Sequence, residues 1–339
     1  MKLFDLLKGI DVVSLHADGG CEIGSICIDS RKAEPGSLFI AIRGFESDGH
    51  SYIPAAVGRG ASVVLCEREP EIETPYVLVR DSRLAEARAA RNFYGDPAAK
   101  MTMLALTGTN GKTTSTMLIK HMLEKQPGMK VGLIGTNQNM IGSEVLHTER
   151  TTPEAIELQA LFARMLAEGC THVVMEVSSH SLVLDRVEGI RYEVGVFTNL
   201  TQDHLDFHKT MENYAAAKAI LFQRQSNRAV INLDDEWSPY MLARANCPVL
   251  TYSAKDPGAA LFADRIVLRA DGIEYDAHHG ADTAHIRLPI PGMFSVYNSL
   301  DVIGCGLQLG LTLEACADAL RDASGVKGRV EVVPTDGDY

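Results

Sequence analysis

The chain changes rhythm about a third of the way along. Up to residue 98, short apolar runs such as Leu38-Phe39-Ile40-Ala41-Ile42 and Ser62-Val63-Val64-Leu65-Cys66 predict strands, punctuated by Gly36, Gly44, Gly49 and Gly60. Gly95-Asp96-Pro97 marks the expected boundary. Beyond it, apolar runs at 103–106, 131–134, 172–177, 194–197 and 229–233 alternate with helical patterns. In 154–168, Leu158, Leu161, Phe162 and Met165 recur at helical spacing, and Gly169 comes next as a stop. Leu118 with Met122, and Ile119 with Leu123, form a second stripe, and 211–222 a third helix. A turn at Pro289, Pro291 and Gly292 leads into helical stretches at roughly 296–309 and 312–322. Such alternation predicts an α/β protein: a small mixed N-terminal domain over 1–98, then a phosphate-loop-type central domain over 99–332 with a mostly parallel sheet flanked by helices. In sheets of this kind ligands bind beyond the carboxyl ends of the strands.

That rule directs attention to the residues just past each strand end. Leu104-Ala105-Leu106 runs into Thr107-Gly108-Thr109-Asn110-Gly111-Lys112-Thr113-Thr114 and then a helix. Glycines let backbone N–H groups approach phosphates, and the helix start adds a favourable dipole. Lys112 would reach the terminal phosphates, and Thr113 would offer a hydroxyl to Mg²⁺. Thr107 stands where the common pattern has its first glycine, so the loop is a shorter variant. In the strand 172–177, Glu176 is a carboxylate among apolar neighbours. It is either paired with an Arg or Lys, or a Mg²⁺ ligand beside ATP. After 194–197, Asp203, His204, Asp206 and His208 fall within six residues; they cap a helix or orient a metal. Lys218 shares a helix stripe with Tyr214, Leu221 and Phe222. It is either a stem lying along apolar surface with its head in water or a desolvated amine, and spacing alone favours the stem.

Charge and cysteine usage narrow the partners. The 339 residues carry a formal net charge of -12 with acidic residues dispersed, which argues against nucleic acid, since no basic stripe is present. Seven cysteines without a C-x-x-C pair fit reduced thiols in a cytoplasm. The start MKLFDLLKGI carries Asp5 and lacks a signal-peptide core, and no apolar run approaches a membrane span. A cytoplasmic monomer with no membrane partner is expected.

Taken together these motifs resemble the Mur ligases. The resemblance rests on Gly108 to Thr114, Met175-Glu176-Val177-Ser178-Ser179-His180-Ser181-Leu182, Phe197-Thr198-Asn199-Leu200 with Asp203-His204-Leu205-Asp206, Tyr214 with Ala217-Lys218, and Asp29-Ser30-Arg31 with Pro35 to Ala41. Thr151-Thr152-Pro153 and the Glu176 to His180 run are similar to the branch that adds the third residue of the cell-wall peptide. That implies an ATP- and Mg²⁺-dependent amide ligase acting on UDP-N-acetylmuramoyl-L-alanyl-D-glutamate and a diamino acid through an acyl phosphate. Gly108, Thr109, Asn110, Gly111, Lys112, Thr113 and Thr114 match its ATP loop, Asn298 the adenine-side asparagine, and Arg329 an arginine near the γ-phosphate. Thr113, Glu176 and His204 match metal ligands. Lys218 matches a lysine carboxylated by CO₂, whose carbamate helps hold a second Mg²⁺, which reverses the preference from spacing. Ser30, Thr151, Thr152, Ser178 and Arg186 match positions that hold the UDP-sugar dipeptide. Leu184 departs from a glutamine found in some members. In the family a third, Rossmann-like domain for the incoming amino acid starts near 333–339, where this chain ends; binding without ligation is the resulting expectation. The rival readings are a folylpolyglutamate-type ligase and a non-catalytic nucleotide-binding module.

Overall fold

Runs of four or more buried apolar residues can only be satisfied between two layers of helix, and the sheets are built from them. The computed structural model describes residues 1–44 and 47–325; Arg329 and the stretch 333–339 lie outside them. The helices that shape the cores and the site are α1 (Ser82–Tyr94), α2 (Lys112–Glu124), α3 (Ala155–Ala167), α4 (Ser179–Val183), α5 (Met211–Ile220), α6 (Met293–Gln308) and α7 (Leu313–Leu320).

The chain divides into two compact units, one made of 1–100, 153–166 and 183–190, the other of 101–152, 167–182 and 191–339. The first unit holds β1 (Val12–His16), β2 (Ser25–Cys27), β3 (Ser37–Ile40), β4 (Val63–Cys66) and β5 (Tyr76–Val79) in the order β1-β5-β4-β3-β2. All neighbours pair parallel except β1 with β5. One face packs Leu38, Ile40, Val63 and Leu65 against Ala85, Ala89 and Ala90 of α1. The Asp81 side chain caps α1 by accepting from Arg83 and Leu84 N–H, and Gly95 closes it at φ 74°.

In the second unit lie β6 (Thr102–Thr107), β7 (Val131–Ile134), β8 (Asn139–Ile141), β9 (Glu144–Leu146), β10 (His172–Glu176), β11 (Tyr192–Phe197), β12 (Ser226–Asn232), β13 (Val249–Ser253), β14 (Leu261–Arg269), β15 (Gly272–His279) and β16 (Asp282–Leu288). They form one sheet in the order β16-β15-β14-β13-β12-β11-β6-β10-β7-β8-β9. From β14 to β7 every pairing is parallel; β14-β15-β16 and β7-β8-β9 are antiparallel extensions. Leu118, Ile119, Met122 and Leu123 of α2 join Val296, Leu300 and Ile303 of α6 in its core. The fold class is therefore the expected one, with helix and strand ends displaced by a few residues. Placement matters most: β6 is central, β10 and β11 flank it, and all three point the same way. The segments that come after them are thereby gathered at one edge.

Candidate functional site

The loop after β6 has a shape only glycine permits at two points. A Cβ on Gly108 (φ 154°) would sit 1.9 Å from Thr198 Oγ1, and one on Gly111 (φ 88°) 2.7 Å from Asn298 Oδ1. The loop is laced to the segment after β11. Asn110 N–H donates to Asn199 Oδ1 at 2.9 Å, Thr198 Oγ1 donates to Asn110 O at 2.7 Å, and Thr201 N–H donates to Thr109 Oγ1 at 3.0 Å. Gly111 starts α2 without a side-chain cap, which leaves first-turn N–H groups for a bound anion.

Two amines converge on this loop. Lys112 Nζ donates to the carbonyls of Gly108 and Thr109, each at 2.9 Å. Lys218 Nζ donates to the same Gly108 carbonyl at 2.9 Å from α5. Lys218 is 1% exposed, so it is the desolvated amine and not the stem with its head in water. Burial first, then the Lys112 charge, hold its amine well below the usual lysine range, against the pull of Asp203. Its Nζ lies 4.5 Å from the Tyr214 ring centre, and Tyr214 Oη lies 3.4 Å from Thr109 Oγ1. Just beyond Lys218 the helix widens into a π-turn, Leu221–Gln225.

Glu176 ends β10 at 1% exposure. Its Oε1 accepts from Thr136 N–H at 3.0 Å and its Oε2 from Thr136 Oγ1 at 2.9 Å. Among the described residues no ion pair reaches it, so the pairing alternative from the sequence does not account for it. With Thr113, Gly135 and Gln138 it lines a cavity of about 410 Å³. His204 (φ 51°) sits at the start of a short helical turn, its Nδ1 3.5 Å from Asp203 Oδ1. The His180 ring is 5.0 Å from that of His204. His208 is buried, stacked on Tyr214 at 4.8 Å, with Nε2 2.8 Å from Ser179 Oγ. Burial, helped by the nearby His180 and Lys218, pushes it down to about 4, so it is neutral at pH 7.

A second cavity of about 670 Å³ borders the loop, lined by Asn110, Thr114, Asp234, Lys255, Phe294 and Asn298. Asp301, one turn after Asn298 on α6, accepts from Ser115 Oγ at 2.9 Å and Tyr252 Oη at 2.5 Å. Burial raises its carboxyl to about 7, a rise that both bonds oppose.

The remaining sequence candidates fall in three places. Thr151 Oγ1 lies 3.0 Å from Thr136 Oγ1. Thr152, 1% exposed, donates to Glu176 O at 2.9 Å and accepts from Ser178 N–H at 3.1 Å. Ser178 Oγ accepts from Ser181 N–H. Ser30 opens a short 3₁₀ turn in the first unit, beside Asp29, whose carboxyl the Arg31 hydrogen bond lowers to about 2. Arg186, also in the first unit, is held by Glu154 Oε1 at 2.7 Å. Near that pair Glu86 is fully buried, and burial plus the Glu154 charge lift it to about 8. Leu184 is buried. Sequence reasoning missed Thr136, His208 as a packed residue, and Asp301. Thr136 comes just after β7, so the strand-end rule applied to one more strand would have found it.

Comparison with known proteins bears on the whole chain. The profile described as Mur ligase middle domain matches residues 106–306, and that described as Mur ligase family, catalytic domain, matches residues 22–106. The UDP-N-acetylmuramoyl-L-alanyl-D-glutamate--2,6-diaminopimelate ligase of Caldanaerobacter subterraneus subsp. tengcongensis is 46% identical over 342 residues, covering 100% of this chain and 70% of that protein. Ligase 1 of the same name from Clostridium acetobutylicum is 44% identical over 335 residues, covering 98% and 69%. A solved UDP-N-acetylmuramoyl-L-alanyl-D-glutamate--2,6-diaminopimelate ligase superposes with a TM-score of 0.88 at 29% identity, covering 99% of this chain and 69% of that one.

Proposed function

This chain belongs to the Mur ligase family, and on that premise we propose that it is an ATP-dependent ligase joining 2,6-diaminopimelate to UDP-N-acetylmuramoyl-L-alanyl-D-glutamate in cell-wall synthesis. The observation that carries the reading is the meeting of Lys112 and Lys218 at the Gly108 carbonyl, on a glycine loop that opens a helix. In the reaction the D-glutamate side-chain carboxylate attacks the γ-phosphorus of ATP, the bond to the ADP oxygen breaks, and an acyl phosphate forms. The amine of the diamino acid then attacks the acyl carbon, phosphate leaves, and the nitrogen gives up a proton.

Both reactants of the first step are anions, so the protein's task is charge neutralisation and positioning. Lys112 trades its two loop carbonyls for phosphate oxygens, and the N–H groups after Gly111 cradle the same phosphates. Asn298, packed against Gly111, and the 670 Å³ cavity take the nucleoside end. Thr151, Thr152 and Ser178 serve the UDP-sugar dipeptide, with Thr152 acting through the backbone it clamps.

The donor set fits Mg²⁺. Glu176 is bonded by the neutral donors of Thr136 and shares a cavity with the Thr113 hydroxyl, a hard oxygen pair of the kind that holds one ion beside phosphates. His204 and a carboxylated Lys218, both beside the Tyr214 ring, would hold a second. Bound Mg²⁺ would supply charge neutralisation at the phosphates. A neutral Lys218 amine takes up CO₂ to give a carbamate and a proton, which burial favours by suppressing the ammonium form. The free cysteines fit a reducing cytoplasm, and among the described residues no helix is long and apolar enough to cross a membrane.

Incubation with ATP, Mg²⁺, the UDP-sugar dipeptide and labelled 2,6-diaminopimelate tests the reading, with L-lysine as competitor. ATP turnover that requires the dipeptide is expected of this chain, and any label carried to the nucleotide-linked peptide should be unaffected by L-lysine. No transfer, together with ATP turnover indifferent to the dipeptide, overturns it.

A further inference from the structure

We propose that Thr136 is a positioning residue that fixes the Thr151 hydroxyl as a hydrogen-bond acceptor, so that Thr151 takes an N–H of the substrate's dipeptide and not one of its carboxylates. The proposal rests on the proposed role of Thr151 in holding the UDP-sugar dipeptide.

A threonine hydroxyl has one proton. Thr136 spends its proton on Glu176 Oε2 at 2.9 Å, while its backbone N–H goes to Glu176 Oε1 at 3.0 Å. A carboxylate only accepts, so the direction of that bond is fixed. The 3.0 Å contact between Thr136 Oγ1 and Thr151 Oγ1 must then carry the proton of Thr151. The chain of donation runs from Thr151 to Thr136 to Glu176, and Thr151 is left with lone pairs alone. Thr152 next door has no such outward role, since its hydroxyl is buried and bonded to Glu176 O and Ser178 N–H.

Lone pairs repel phosphate and carboxylate oxygens and attract donors. The end of the substrate that reacts must come to the phosphate loop, and Glu176 and Thr113 line one cavity beside it. Near the reacting carboxylate the dipeptide offers one backbone donor, the N–H of the D-glutamyl residue. Thr136 thus links the cation side of the site to the peptide side through a single hydroxyl.

The test compares two ligands: the natural UDP-sugar dipeptide, and the analogue in which an ester oxygen replaces the D-glutamyl N–H. Affinities are measured by calorimetry on the whole chain with a non-hydrolysable ATP analogue and Mg²⁺. The native protein should bind the ester about threefold to tenfold more weakly, the worth of one neutral hydrogen bond. Thr151→Val should bind the amide more weakly than the native protein and bind amide and ester alike. Thr136→Ser should behave as native. Thr136→Val, of nearly the same shape, releases the Thr151 proton to turn towards the ester and should shrink the discrimination. If Thr151→Val leaves the natural ligand's affinity unchanged, the underlying assignment of Thr151 fails. If Thr151→Val weakens binding but the native protein does not distinguish amide from ester, the assignment stands and the polarity proposal is overturned. Undiminished discrimination by Thr136→Val removes Thr136 from the account.

Discussion

At the phosphate loop the amines of Lys112 and Lys218 rest on backbone carbonyls, whereas in the N-terminal unit the guanidinium of Arg186 rests on the carboxylate of Glu154. A carbonyl is a dipole, and it satisfies an ammonium proton without cancelling the charge. A carboxylate does cancel it. An arriving phosphate at the loop therefore competes with dipoles, while an anion arriving at Arg186 competes with a full charge already in place. Lys218 and Arg186 also stand differently towards stability. Lys218 is held against its own preference, since burial disfavours the charged form, while Arg186 and Glu154 support each other.

The largest effect should come from Lys218. Arginine keeps the charge and cannot form the carbamate, so Lys218→Arg should lose roughly a hundredfold to a thousandfold in kcat, the scale of removing one preorganised electrostatic partner. A short-chain acid should restore part of the activity of Lys218→Ala. Carbon-13 NMR under labelled bicarbonate reads the carbamate directly; an active Lys218→Arg enzyme and a native protein without the signal would sink the assignment.

Next comes stability, where the two sites should move in opposite directions. Lys218→Met removes a desolvated amine and should raise the denaturation midpoint, while Glu154→Gln removes the negative charge 2.7 Å from Arg186 and should cost about 3 kcal/mol. Denaturant melts of both variants settle it, and two changes of the same sign would erase the contrast.

The pH dependence sharpens it further. Glu86 is raised from an ordinary 4.5 to about 8. The folded state therefore holds more protons than the unfolded one between those values, and stability falls as pH rises through that window. Asp301, raised to about 7, acts in the same sense over its own window. Lys218 is depressed, so the unfolded state holds the extra proton and stability rises with pH towards the ordinary lysine value. Melts of Glu86→Gln across the acidic to neutral range should show a flatter fall than the native protein; an unchanged slope would mean Glu86 titrates normally.

The smallest effect concerns helix starts. Asp81 caps α1, so Asp81→Ala should cost about 1 kcal/mol with ATP affinity unchanged. Calorimetry with nucleotide checks the second half.

Much of the nucleotide side could be read from sequence because its signals are local. Strands buried on both faces show as unbroken apolar runs, and the loop from Gly108 to Thr113 has a fixed spacing between strand and helix. The site's other half is made by distant contacts. Lys218 meets Gly108 across 110 residues, and no spacing rule reports whether an amine on an apolar stripe bends to water or inward. Likewise 153–166 and 183–190 join the N-terminal unit although they lie far along the chain. The antiparallel β14-β15-β16 extension was also unread. It carries His278 and His285 paired with Asp264 and Asp276, and a register shift between Asp264 and Val267 breaks its alternation.

The central claim is that this loop, with its two lysines, activates a carboxylate with ATP. Positional isotope exchange tests it most directly. ATP carrying heavy oxygen in the β,γ-bridge is incubated with the chain, Mg²⁺ and the UDP-sugar dipeptide, without any amino acid. Reversible acyl-phosphate formation lets the β-phosphate of bound ADP rotate, so the label should scramble into non-bridging positions. Scrambling should require the dipeptide and vanish in Lys112→Ala. Label that stays in the bridge while both ligands are bound, or scrambling that proceeds without the dipeptide, would contradict the account.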